Sequence, residues 1–177
     1  MFNTQGHYGI KLVSFDEIHP EIIDFTQFVL ENTFRKKVVR GESIALPIDA
    51  FDLEAEHYRS ADLLSHLSSI RTHKEKIFGL INEDIARPQL PFVFGDGSPS
   101  KEAAVVSLWR FSQNFHYFEQ DPGVFENRLK KAIIQEMSHA YGLRHCSNPQ
   151  CVMFFPRSIN DLDNQKDSYC HRCQTWF

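Results

Sequence analysis

Four cysteines fall within the last 32 residues of this 177-residue chain, at Cys146, Cys151, Cys170 and Cys173, and nowhere else. They form a C-x4-C pair and a C-x2-C pair with 18 residues between them. Such spacings suit four thiolates converging on one tetrahedral zinc ion. The alternatives are four free structural thiols or two disulfides, and disulfides belong to oxidising compartments. The N-terminal stretch from Met1 to Ile10 is polar and lacks the apolar centre of a signal peptide, so a cytoplasmic, reducing setting is expected. In that setting the zinc reading is preferred, and the metal would close a loop on a tail poor in apolar residues of its own.

Directly before the first cysteine the chain reads Gln135-Glu136-Met137-Ser138-His139-Ala140-Tyr141-Gly142-Leu143-Arg144-His145. This matches the metzincin zinc-peptidase pattern HExxHxxGxxH at every fixed position except the first, where Gln135 replaces His. After Cys146 come four residues, then Cys151-Val152-Met153, a spacer from Phe154 to Tyr169, and the CxxC of Cys170 and Cys173. The whole pattern resembles the archaemetzincin family of zinc metallopeptidases, with a spacer one residue short of the family's length of about 17. Phe51 through Tyr58-Arg59-Ser60 to Leu63-Leu64, Phe92-Val93-Phe94-Gly95 and Val105-Val106-Ser107-Leu108 also look like the family. The resemblance therefore runs from about the first strand to the end of the chain.

The resemblance implies roles for these residues. Glu136 is the candidate general base, placed to take a proton from metal-bound water. His139 and His145 are candidate ligands of a catalytic zinc, with Gly142 turning the chain so that His145 comes back to the metal. Without the motif around them they would read as two ordinary helix-end histidines. Gln135 offers only an amide oxygen, so it is a weak ligand or a non-ligand, its amide hydrogen-bonded to His139 or to water. Met153 corresponds to the Met-turn, the apolar floor beneath the ligands. Phe92, Val93, Phe94 and Gly95 correspond to the edge strand above the cleft, which could receive a substrate peptide as an added strand. Its bland alternative is a short edge with no ligand. Cys146 would brace His145 through the structural zinc. His171, inside the CxxC, is expected to be exposed, and His7, His19, His57, His66, His73 and His116 have no ligand spacing with one another.

The remaining sequence fixes the class of molecule. Hydrophobic residues make up 42% and charged residues 24%, a balance that supports one globular domain with a sizeable core. Sixteen Phe residues suggest an aromatic core. A net charge of −4 argues against nucleic acid as a partner, and no apolar run is long enough to span a membrane. Strands are expected at Tyr8 to Phe15, Lys37 to Arg40, Lys76 to Ile81, Phe92 to Phe94 and Ala103 to Phe111. Gly95-Asp96-Gly97 reads as a turn. Helices are expected from Pro20 to about Phe34, from an N-cap at Ser60 with Leu63, Leu67 and Ile70 on one face, and from Phe125 to Tyr141. Gly41 to Ala55 reads as irregular.

This order gives an α/β layered domain, of the α+β metzincin kind by resemblance. It has a mixed twisted sheet of about five strands, a backing helix, an active-site helix and a small C-terminal zinc-bound subdomain. The single domain 1–177 divides into an N-terminal part, 1–142, and a four-cysteine part, 143–177. The resemblance implies an archaemetzincin-like zinc metallopeptidase acting on a peptide or protein substrate, its catalytic site weakened by Gln135 and its second, catalytic zinc weakly held. A pseudopeptidase that binds peptides or a partner through the same cleft is the alternative. A small zinc-binding interaction protein, in which only the four-cysteine site matters, is a third. The oligomeric state is not encoded in any pattern found.

Overall fold

The computed structural model describes residues 9–72, 74–113 and 122–176. Tyr8, His7, His73 and His116 lie outside the described residues. Nine strands form two sheets among those described. The larger has five strands in the order β2 (Lys37–Arg40), β1 (Gly9–Ser14), β5 (Glu75–Ile81), β9 (Ala103–Ser107) and β8 (Gly95–Ser98). The first four are mutually parallel, and β8 runs antiparallel to β9 at the edge. A smaller four-stranded sheet joins β3 (Phe51–Asp52), β4 (His57–Arg59), β6 (Ile85–Arg87) and β7 (Leu90–Val93).

Helices cover both faces of the main sheet, so its central strands are apolar on both sides. Ile10, Leu12, Phe78, Leu80, Ala104 and Val106 pack toward α1 (Pro20–Phe34) and α4 (Pro122–Ala140). The alternate residues Val13, Ile77, Ile81, Ala103 and Val105 pack toward α2 (Ser60–Ile70). This period of two places each strand's side chains in two separate cores. On α1, Val29 is buried and Ile22 and Phe25 pack against the same core; on α4, Leu129, Ala132, Ile133 and Met137 are buried. Long crossovers join the parallel neighbours, through α1 from β1 to β2 and through β6, β7 and β8 from β5 to β9.

The expected α1 and β2 match the structure to the residue. Four expectations need correction. Gly41 to Ala55 contains a turn of 3-10 helix (Ile48–Ala50) and the short β3. Ala103 to Phe111 is not one strand, because β9 ends at Ser107 and a short helix, α3 (Trp109–Gln113), follows. Ser60 does not cap α2: the capping position is Arg59, and Ser60 lies inside the helix, donating its hydroxyl to Asp96 Oδ2 at 2.7 Å. Gly95-Asp96-Gly97 is not a turn but the body of β8.

The glycines of β8 have a packing reason. A Cβ on Gly97 would stand 2.1 Å from the backbone oxygen of Glu136, and one on Gly95 would stand 2.5 Å from Glu136 Cγ. Helix α4 lies so close on the edge strand that no side chain fits between them. The edge strand therefore brings the cleft wall into contact with the segment that carries the site residues.

Candidate active site and thiolate centre

Helix α4 and the turn after it set the geometry. The helix ends at Ala140, and Gly142, at φ 97°, takes the left-handed conformation. Gly142 N–H donates to His139 O at 2.8 Å and Leu143 N–H to Ser138 O at 3.0 Å, closing the helix C-terminus. The reversal brings His145 back to His139, with ring centroids 4.4 Å apart and nearly perpendicular.

The hydrogen bonds of His139 decide its tautomer. Nδ1 lies 2.6 Å from Leu143 O, a carbonyl that can only accept, so Nδ1 carries the proton. Nε2 then holds the lone pair, and it is buried with no hydrogen-bond partner. A buried, orphaned imidazole nitrogen is what a metal ligand looks like before its ion is counted. Burial, with His145 nearby, holds the His139 ring neutral, its pKa pushed down to about 4. Burial also lowers His145.

Glu136 is almost fully enclosed, at 7% exposure. Burial first, and then the negative charge of Asp96, push its carboxyl well above the usual carboxylate range, with Arg87 opposing. Glu136, His139 and His145 line one open cleft of ≈ 550 Å³ with Arg87, Val93, Gly95, Asp96 and Gly97. Val93 and Gly95, of the four expected edge-strand residues, reach this cleft. Phe94 is buried at 6% exposure, and Phe92 packs against Phe94 and beneath the Arg110 guanidinium, 3.9 Å from its ring centre. The edge strand itself runs from Gly95 to Ser98, and Phe92 and Val93 end β7 in the smaller sheet.

Gln135 is turned elsewhere. Its side-chain amide donates to Phe154 O at 2.8 Å, where a bond to His139 or to water was expected, and it is 3% exposed. Gln165 donates to the same carbonyl oxygen. Met153 is fully buried just before Phe154, and its carbonyl accepts the Cys146 N–H at 2.8 Å. Among the described residues, no group of three or more His, Cys, Asp or Glu donors gathers at the histidine pair.

The cysteines do form such a group: the four sulfurs all lie within 4.8 Å of one another. Cys146 Sγ and Cys170 Sγ are 3.8 Å apart. That is close to the edge of a tetrahedron with Zn–S bonds of about 2.3 Å, and far from a disulfide of about 2.05 Å. All four are free thiols, so the disulfide alternative is removed. Donors already point at the sulfurs: Asn148 N–H to Cys146 at 3.4 Å, Cys170 N–H to Cys151 at 3.3 Å and Arg172 Nη2 to Cys146 at 3.4 Å. The backbone N–H of Cys173, with the other thiols, pulls the Cys170 pKa down to about 6. This donor set fits zinc. His171 is exposed, as expected.

Sequence reading missed Arg87, Asp96 and the role of Ser60. Arg87 sits in a short strand with no periodic signal, and Asp96 is hidden between two glycines that imitate a turn.

A mixed sheet with a long helix beneath its antiparallel edge, a glycine turn between two converging histidines and a four-thiolate centre beside them define a metzincin-type zinc peptidase. The chain belongs to Peptidase family M54, whose sequence profile matches residues 9–177. It is 34% identical to the archaemetzincin of Pyrococcus horikoshii over 160 residues, covering 86% of this chain and 85% of that one. It is 32% identical to the archaemetzincin of Pyrococcus abyssi over 171 residues, covering 93% and 91%. The crystal structure of the Methanopyrus kandleri archaemetzincin superposes with a TM-score of 0.82 at 28% identity, covering 99% of this chain and 96% of the other. The family is one of zinc metallopeptidases, with peptides or proteins as substrates. No helix among the described residues is long and apolar enough to cross a membrane.

Proposed function

We propose that this chain is a zinc metallopeptidase whose hydrolytic site is weakened at Gln135 and whose cleft takes an extended peptide. One observation carries the reading: the Gln135 amide is hydrogen-bonded to Phe154 O, leaving His139 and His145 as the strong donors. The peptide lies along β8, which among the described residues is paired on one side only, with Phe92, Val93 and Phe94 leading into it. Glu136 is the proton-handling carboxyl, and Met153 forms the floor below the histidines. Residues 143–177 act as a zinc-anchored unit, and residues 1–142 carry the sheet and the motif helix. A reducing, cytoplasmic setting suits the four free thiols.

The test compares zinc content and peptide cleavage in the native protein, in Gln135→His and in Gln135→His with Glu136→Ala. Gln165 keeps its donation to Phe154 O, so Gln135→His does not orphan that carbonyl. The expected result is about one zinc per native chain, close to two in Gln135→His, and cleavage that appears with the new ligand and disappears with Glu136. Two zinc ions and peptide cleavage in the native protein would overturn the weakened site.

A second reading, a peptide-binding protein that does not cut, is favoured by the enclosure of Glu136, which holds its carboxyl toward the neutral form. Its mark would be tight peptide binding with no cleavage in either the native protein or Gln135→His.

A further inference from the structure

The cleft holds two arginines beside its two carboxyls, in a chain that is negative overall. The chain carries −4 overall, yet Arg87 and Arg144 both line the cleft. The cleft's two carboxyls are turned inward: Asp96 is 5% exposed and accepts the Ser60 hydroxyl, and Glu136 is buried. Arg87 Nε lies 3.5 Å from Asp96 Oδ2, while its side chain remains 46% exposed. Asp96, fixed by Ser60, therefore orients the guanidinium from below. The terminal Nη1 and Nη2 groups have no hydrogen-bond partner among the described residues, and they form an open fork of donors.

A planar fork with unused donors matches the two oxygens of a carboxylate.

We propose that Arg87 is the carboxylate-binding residue of this cleft, so that the peptides it accepts carry a free carboxylate, terminal or on an Asp or Glu side chain, beside the strand bound along β8. This rests on the peptide-cleft reading above. Arg87 acts as a specificity residue: a carboxylate engages both terminal nitrogens, whereas a neutral peptide leaves them to water. Arg144, exposed and without a buried anchor, adds only general attraction.

The experiment measures binding of one fluorescein-labelled heptapeptide in four versions, by anisotropy, to the full-length protein. The versions cross a C-terminal acid or amide with a central Glu or Gln, and mass spectrometry verifies that each stays intact. Proteins are native, Arg87→Lys, Arg87→Ala and Arg144→Ala. In the native protein an acid is expected to bind about tenfold tighter or more than its neutral counterpart. The acid-to-amide and Glu-to-Gln comparisons tell which carboxylate is recognised. The preference should fall to near unity in Arg87→Ala and most of the way in Arg87→Lys, which keeps a charge for Asp96 but not the fork, and persist in Arg144→Ala. Equal binding of all four versions by the native protein, or a preference that survives Arg87→Ala, overturns the proposal while leaving the peptide cleft standing. Absence of binding by every peptide overturns both.

Discussion

Phe154 has one carbonyl oxygen, and two glutamine amides donate to it, Gln135 from the motif helix and Gln165 from the end of α5 (Ile159–Asn164). The carbonyl has two lone pairs, so both bonds coexist. Each alone keeps the oxygen satisfied. Gln165→Leu and Gln135→Leu should therefore each cost about 1 kcal/mol, and the double variant more than the sum by a similar amount, because only then is this half-buried carbonyl left unpaired. Urea denaturation of the four proteins checks this, and strict additivity would argue that water replaces the missing donor. Gln135 thus does structural work that its position in the motif does not announce. That the motif departs from its pattern was legible from one residue; where the Gln135 side chain would go was not, because its partner is 19 residues away on a turn with no sequence pattern.

At the scale of elements, the glycines separate two kinds of constraint. Gly97 has no room: its added Cβ would meet backbone of α4. Gly142 has ample room, with nothing within 4 Å, but a φ of 97° that L side chains avoid. Gly97→Ala should cost about 3 kcal/mol or more by forcing the helix off the sheet edge. Gly142→Ala should cost about 1–2 kcal/mol by backbone strain alone. Equal effects in thermal melts would mean that α4 is not seated on β8 as described. The same glycines explain why β8 was unreadable: Gly95-Asp96-Gly97 has turn chemistry, and only the helix above it gives those residues a reason to be strand. Helix α1 was readable because Pro20 opens it and its apolar spacing faces a single core. The strand pairs of the smaller sheet, two to four residues long, carry too few positions for alternation to register.

At the scale of the whole molecule, the C-terminal segment is fastened to α4 at several places. Arg128 forms a two-pronged bond to Asp163, with distances of 2.7 and 2.6 Å. Lys130 reaches Asp167 at 2.6 Å, and buried Lys131 donates to Leu162 O at 2.9 Å. Tyr169 shares a hydrogen bond with buried Ser138 at 2.7 Å. Between these fastenings, the thiolate centre closes the loop from Cys146 to Cys173. Cys170→Ser should release one zinc per chain. If about 3 kcal/mol of stability goes with it, the melting temperature falls by roughly 6–12 °C. Unchanged zinc content and melting temperature would show that the cysteines are not a metal centre. The cysteine spacing made this centre legible in the sequence, whereas the clamps from Arg128, Lys130 and Lys131 were not, since each joins residues more than thirty positions apart.

A single peptide bond separates His145, in the cleft, from Cys146, at the thiolate centre. The cleft is therefore expected to mature late. A newly made chain can build its sheet and pack α4 first, but His145 finds its place only as the tail is gathered around its ion. In a cell short of zinc, the unfinished product would be a chain with an assembled scaffold and an open mouth, its substrate surface waiting on a metal that never touches the substrate.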